Sequence, residues 1–119
     1  MMIADWLSSN NQVRMIVEWF GFMPNYIAPL LSDPRQAIWV FPNDDFKQQS
    51  ITKRDKPNFH RDTFNPELAW QNHLGRDLAL AEMARQQAQK YGLKTIINDG
   101  KLSPQQIVEQ VEAHFRPLL

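Results

Sequence analysis

The chain has no cysteine among its 119 residues, which excludes disulfides, thiol catalysis and cysteine-ligated metals. It also lacks net charge: 13 basic and 13 acidic side chains cancel. That removes the electrostatic case for nucleic-acid or membrane-surface binding. Long apolar runs are missing too. The longest, such as Ala37 to Phe41, is far too short to span a bilayer. Near the start, Asp5 and the polar run Ser8 to Gln12 stand where a signal peptide would need an apolar core. These absences predict a soluble, cytoplasmic protein of one domain, with no nucleic-acid or membrane partner.

Metal-binding patterns are absent as well. His60, His73 and His114 show no ligand spacing, so no metal site is expected, and His114 reads as a surface residue of the last helix. His60-Arg61-Asp62 copies the first letters of a protein-kinase catalytic loop, but Glu67 stands where that loop needs asparagine. A phosphate-binding loop of the Gly-x-x-x-x-Gly-Lys-Ser/Thr kind is also missing. The one Gly-Lys pair, Gly100-Lys101, has Thr95 at the first glycine position and Leu102 after the lysine.

What is present is an alternation of strands and helices. Met1 to Leu7 is weakly amphipathic and suits a short helix. Val13 to Phe20 is β-branched and aromatic, a strand pattern closed by Gly21 through Pro24. Asn25 to Leu31 predicts a short helix, and Asp33-Pro34 ends it. Ala37 to Phe41 is continuously apolar, as strands buried on both faces of parallel sheets are. Asn65-Pro66 opens the longest helix, with Leu74, Leu78, Ala81, Ala84 and Ala88 on one stripe and Tyr91-Gly92 at its end. Leu93 to Ile97 reads as a third strand. Ser103 and Gln106 form a capping box for the last helix, whose buried face carries Ile107, Val108, Val111 and Phe115. The order predicts an α/β fold: a small, mostly parallel sheet of about three strands between helices, three layers deep, with a helical or lid insertion.

That insertion, Asp44 to Asp77, gathers Lys47, Lys53, Arg54, Lys56, His60, Arg61 and Arg76, with Asp44, Asp45, Asp55 and Asp62 between them. Core packing does not need so polar a segment. A solvated loop of balanced charge and a ligand-covering lid over about 44–65 both fit it. Lys47 to Asn65 is expected to be the most mobile part of the fold. His73, Arg76 and Asp77 share a helix face, so Arg76 either joins a surface ion pair or reaches an anion beneath the lid. Glu18 ends an apolar strand pattern, where it either faces solvent or contacts substrate or metal-bound water.

Taken in order, these residues resemble the C-terminal half of P-loop kinases of the adenylate, shikimate and gluconate kinase kind. The resemblance runs over roughly Val13 to Leu119. It is carried by Ile16 to Pro24, by Asp33 to Pro42 with Phe46, by Arg54 and Arg76-Asp77, and by Gln87 to Leu93, Asp99-Gly100 and His114 to Leu118. It implies that Arg54 and Arg76 neutralise a transferring phosphoryl group and that Glu18 lies near metal or substrate. It implies a nucleotide-binding role for Asn98, Asp99, Gly100 and Arg61. Trp19 stands where glycine is expected after Glu18 and narrows that space. The first strand, phosphate loop and first helix have no counterpart. ATP and Mg are therefore expected only if that half is supplied, with no cofactor for the chain alone. The partners implied are a nucleotide or phosphorylated small molecule, and a second copy or another subunit filling the place of the missing central strand. A non-catalytic assembly module on the same frame, and a small anion-binding protein using Arg54, Arg61 and Arg76, are the competing readings.

Overall fold

The structure, a computed structural model, describes residues 15–53 and 62–118. Met1 to Leu7, the start of the expected Val13 strand, the middle of the expected lid, Arg54 and Arg61 lie outside the described residues.

Helix α1, Pro24–Ile27, is one turn long with proline at its first position, and a 3-10 turn, Ala28–Leu30, continues it. Pro29 is accommodated in the first turn of that second piece. A further 3-10 turn, Pro34–Gln36, is held by Asp33. Its carboxylate accepts from the Arg35 N–H, and the Gln36 side chain reaches back to the Asp33 backbone.

Strand β1, Ile38–Pro42, lies beside strand β2, Lys94–Asn98, in parallel, with Val40 opposite Ile96 and Phe41 opposite Ile97. Between them come α2, Asp44–Lys53, and α3, Pro66–Lys90. Helix α4, Pro104–Phe115, follows β2. Mixed α/β architecture with a parallel pair is thus what the sequence predicted.

The sheet, however, has two strands among the described residues, not three. Met15 to Phe20 forms no strand and lies exposed. A strand exists only where a neighbour accepts and donates along its length, and β-branched composition cannot supply that neighbour. The first part of the expected helical or lid insertion, Asp44–Lys53, is helical. Asn43 accounts for this: its Oδ1 accepts from the Phe46 N–H at 2.8 Å and its carbonyl from Lys47, while Asp44 and Asp45 favour the positive end of the helix.

The local signals elsewhere act as read. Asn65 Oδ1 caps α3 through the Leu68 N–H. At its other end Gly92, at φ +63°, lets the Gly92 and Leu93 N–H groups return to the Gln89 and Ala88 carbonyls, the pattern of a Schellman motif. Ser103 and Gln106 close their capping box. Among the described residues the apolar core is small: Phe41, Ala84, Ala88, Leu93 and Ile96. Ala84 and Ala88 lie on the C-terminal half of α3, which packs on the two strands, while Phe41 and Ile96 point to opposite faces of the sheet by register. Small side chains at positions 84 and 88 let the helix backbone approach closely. Asn25 ties α1 to α3 by donating its N–H to Gln87 Oε1, and the Trp39 indole donates to the Phe22 carbonyl at 2.8 Å.

Candidate functional site

Ligands of open parallel sheets bind beyond the carboxyl ends of the strands. Here those ends are Phe41-Pro42 and Ile97-Asn98, and a cleft of 620 Å³ opens beside them. Phe41 and Ile97 share one face of the sheet by register, and Leu78 and Ala81 of α3 wall the cleft with them. Asn43, Asp44 and Asp45 form the entry to α2, while Glu82 and Arg85 border the cleft from α3. Arg85 is held by Glu82 through Nε at 2.9 Å. That contact and the Gln86 amide hold the Glu82 carboxyl below its ordinary range.

The loop after β2 borders the same end of the strands. The Asn43 N–H donates to the Asn98 carbonyl at 2.9 Å, joining the two strand exits. Asn98 Oδ1 accepts from the Gly100 N–H, and Asp99 Oδ1 from the Lys101 N–H. Gly100 takes φ +85°, and the Phe46 ring packs over it. The turn that the sequence assigned to Asn98, Asp99 and Gly100 is therefore a braced loop, with its two polar side chains engaged by its own backbone.

Farther up α3, Asp77 gathers two cationic side chains and an imidazole. Arg76 donates to its Oδ1 at 2.9 Å, while Lys47 of α2 and His73 each stand 3.5 Å from Oδ2. Partial burial alone would raise the Asp77 carboxyl, but Arg76, Lys47 and His73 outweigh it, and the group is held below its usual range. Of the two sequence readings of Arg76, the structure displays the ion pair: its side chain is 62% exposed and bound to its neighbour. Lys47–Asp77 is an ion pair between α2 and α3, and sequence reasoning missed it because thirty residues of loop and helix separate the partners.

Glu18 is exposed in the segment that is not a strand, so the strand-end position behind its assignment is absent. Helix α2 touches the other two predicted groups, with Phe46 packed on Gly100 and Lys47 paired with Asp77 beside Arg76. Arg54 and Arg61 lie outside the described residues. His114 is the second correction. It is half-buried, and its Nε2 donates to the Ala37 carbonyl at 2.8 Å, fastening α4 to the entry of β1. Nearby, Arg35 grips Asp33 with Nε and Nη2, the latter at 2.7 Å, and holds that carboxyl down at about 2.

Nucleoside and phosphate chemistry make different demands on the cleft. Apolar walls at Phe41, Leu78, Ala81 and Ile97 suit a flat aromatic ring. Its charges do not suit phosphates, since Asp44, Asp45 and Glu82 outnumber Arg85 and Asp44 and Asp45 occupy the helix terminus that could otherwise receive an anion. Among the described residues no group of three or more histidines and carboxylates is placed to hold a metal ion, and no helix is long and apolar enough to cross a membrane. No protein-family model matches the chain, and no curated protein or solved structure matches it either.

Proposed function

We propose that this chain is the nucleoside-side half of a kinase-like phosphotransferase frame, completed when a phosphate-loop half is supplied. The observation that carries this reading is the juxtaposition at the carboxyl ends of β1 and β2. There a cleft with apolar walls at Phe41, Leu78, Ala81 and Ile97 and a charged rim lies next to the Asn98–Gly100 loop, which Phe46 and Asn43 brace. The resemblance adds the phosphate side: Arg54 and Arg76 as contacts to phosphoryl oxygens, Arg61 as a nucleotide contact and Glu18 near the metal or substrate. For Arg76 to act so, it must leave Asp77, which an incoming phosphate can induce by offering two or three acceptors in place of one. ATP with Mg is then the donor of the completed assembly. The chain alone is inactive, because phosphoryl transfer depends on charge neutralisation around phosphates that its own cleft would repel.

Titration of the isotope-labelled chain with adenosine and with Mg-ATP, followed by amide chemical shifts, tests this. Both ligands are expected to shift Ile97 to Lys101 and Asn43 at millimolar concentration, with ATP no tighter than adenosine, and Mg-ATP is not turned over. Unmoved amides in that loop would overturn the nucleoside assignment. Steady hydrolysis that the Arg54→Ala change abolishes would overturn the inactivity of the chain alone.

A second reading, a non-catalytic assembly module, is favoured by a different observation. The described core is five residues, while Ile16, Trp19, Phe20, Tyr26 and Phe64 stand largely exposed. Under this reading neither ligand moves the loop.

A further inference from the structure

The two ends of the β1–β2 pair carry opposite charge. Around the cleft at the carboxyl ends, Asp44, Asp45 and Glu82 outnumber Arg85. A second cleft, of 470 Å³, opens at the amino end of β2, and every ionisable side chain that lines it is basic: Arg35, Lys94 and His114. The three come from three elements. Arg35 belongs to the 3-10 turn Pro34–Gln36, Lys94 is the first residue of β2, and His114 stands in the last turn of α4, which packs on that 3-10 turn. A chain without net charge has thus gathered cations at one end of its sheet.

Two of the three are held in place by their neighbours. Asp33 grips the Arg35 guanidinium along one edge, through Nε at 3.1 Å and Nη2 at 2.7 Å. Asp33 is itself fixed, since its Oδ1 accepts from the Arg35 N–H and its own N–H donates to Gln36 Oε1. A guanidinium has five N–H donors, so the hydrogens of Nη1 and one of Nη2 remain for a ligand. The His114 ring is set by the bond from Nε2 to the Ala37 carbonyl, which leaves Nδ1 as its second nitrogen. Lys94 is exposed and has no ion-pair partner among the described residues. Asp33 offsets the charge of Arg35, so the surplus on the cleft comes from Lys94 and from His114 when it is protonated.

We propose that this cleft binds the phosphate group of a small phosphate monoester. A held guanidinium with a free edge meets two oxygens at once, and Lys94 adds a point charge. Donors from three separate elements match a tetrahedral group with three outer oxygens better than a planar carboxylate with two. The cleft is larger than a bare phosphate and within the size range of small-molecule sites, so it leaves room for the organic part of the ester beside Pro34 and Leu93. The inference is independent of the nucleoside reading: it uses the opposite end of the strands, and the two are read on different amides.

Titration of the isotope-labelled full chain with glycerol phosphate and with inorganic phosphate tests this. Glycerol phosphate is expected to shift the amides of Arg35, Gly92 to Thr95 and His114 along saturating curves at low millimolar concentration, and to leave Asn98 to Lys101 in place. Inorganic phosphate is expected to move the same amides with weaker affinity. Lys94→Gln, at an exposed position, is expected to weaken binding about tenfold. Lys101→Gln removes the same charge at the other end of β2, from a side chain 87% exposed, and is expected to bind as the unmodified chain does. Shifts that rise without saturating, or a Lys94→Gln chain that binds no worse than the Lys101→Gln control, overturn the site. Glycerol phosphate binding no tighter than inorganic phosphate overturns its assignment to an ester.

Discussion

The ring of Phe46 occupies the space that a side chain at position 100 would need: a β-carbon on Gly100 would lie 2.8 Å from Phe46 Cδ2 and 3.1 Å from Cε2. Gly100 also sits at φ +85°, where any other residue is strained. Two independent constraints therefore ask for glycine, and together they fix the loop against the first turns of α2.

Gly100→Ala is accordingly expected to destabilise the chain by about 1–3 kcal/mol, read from the urea midpoint. Adding Phe46→Ala to it should recover only the part due to crowding, since the backbone strain remains. A double change no more stable than the two single changes added together would show that the ring and position 100 are not coupled.

Asn43→Ala removes the side-chain acceptor of the Phe46 N–H and is expected to cost about 1 kcal/mol. The loss should concentrate in α2, so amide exchange in Phe46 to Gln49 is expected to quicken more than exchange in Ala84 to Ala88 of the core. Uniform acceleration across both regions would mean that α2 does not open on its own.

Asp33 sets an acid-side dependence whose sign follows from its environment. Its folded carboxyl is held at about 2, below the ordinary value near 3.9 of an unfolded chain. The unfolded chain therefore binds the proton first, and the stability that Asp33 contributes above about pH 4 is lost as pH falls through about 2. Asp77 and Glu82, also held low, act in the same direction. Asp33→Asn is expected to flatten the fall of the urea midpoint between pH 4 and pH 2. An unchanged slope would mean that the Arg35 contact does not survive in solution.

The expected elements that the structure matches share one property: each carries its own terminator. Asn65-Pro66, Tyr91-Gly92 and Ser103 with Gln106 act within a few residues through bonds that the segment makes with itself. Helix α2 carries the same kind of signal, Asn43 followed by Asp44 and Asp45, within a segment whose charges also fit a loop. The site was less legible. The Asn98–Gly100 turn was visible, while Phe46, Lys47–Asp77 and the His114–Ala37 bond each join positions dozens of residues apart.

The sequence by itself determined where helices begin and end, because a helix satisfies its own backbone groups and a cap needs only a neighbour a few residues away. It also determined two of the strand positions, Ala37 to Phe41 through an uninterrupted apolar run closed by Pro42, and Leu93 to Ile97 as a short stretch between Gly92 and Asn98-Asp99-Gly100. Tertiary structure alone decided that Val13 to Phe20, as β-prone as either, is not a strand over its described residues, since a strand needs bonds from a neighbour that no local pattern supplies. It alone decided that Asp77 takes Lys47 as well as its helix neighbours, and that His114 turns inward to a carbonyl. Both follow from packing one element on another, which places side chains together regardless of their distance along the chain.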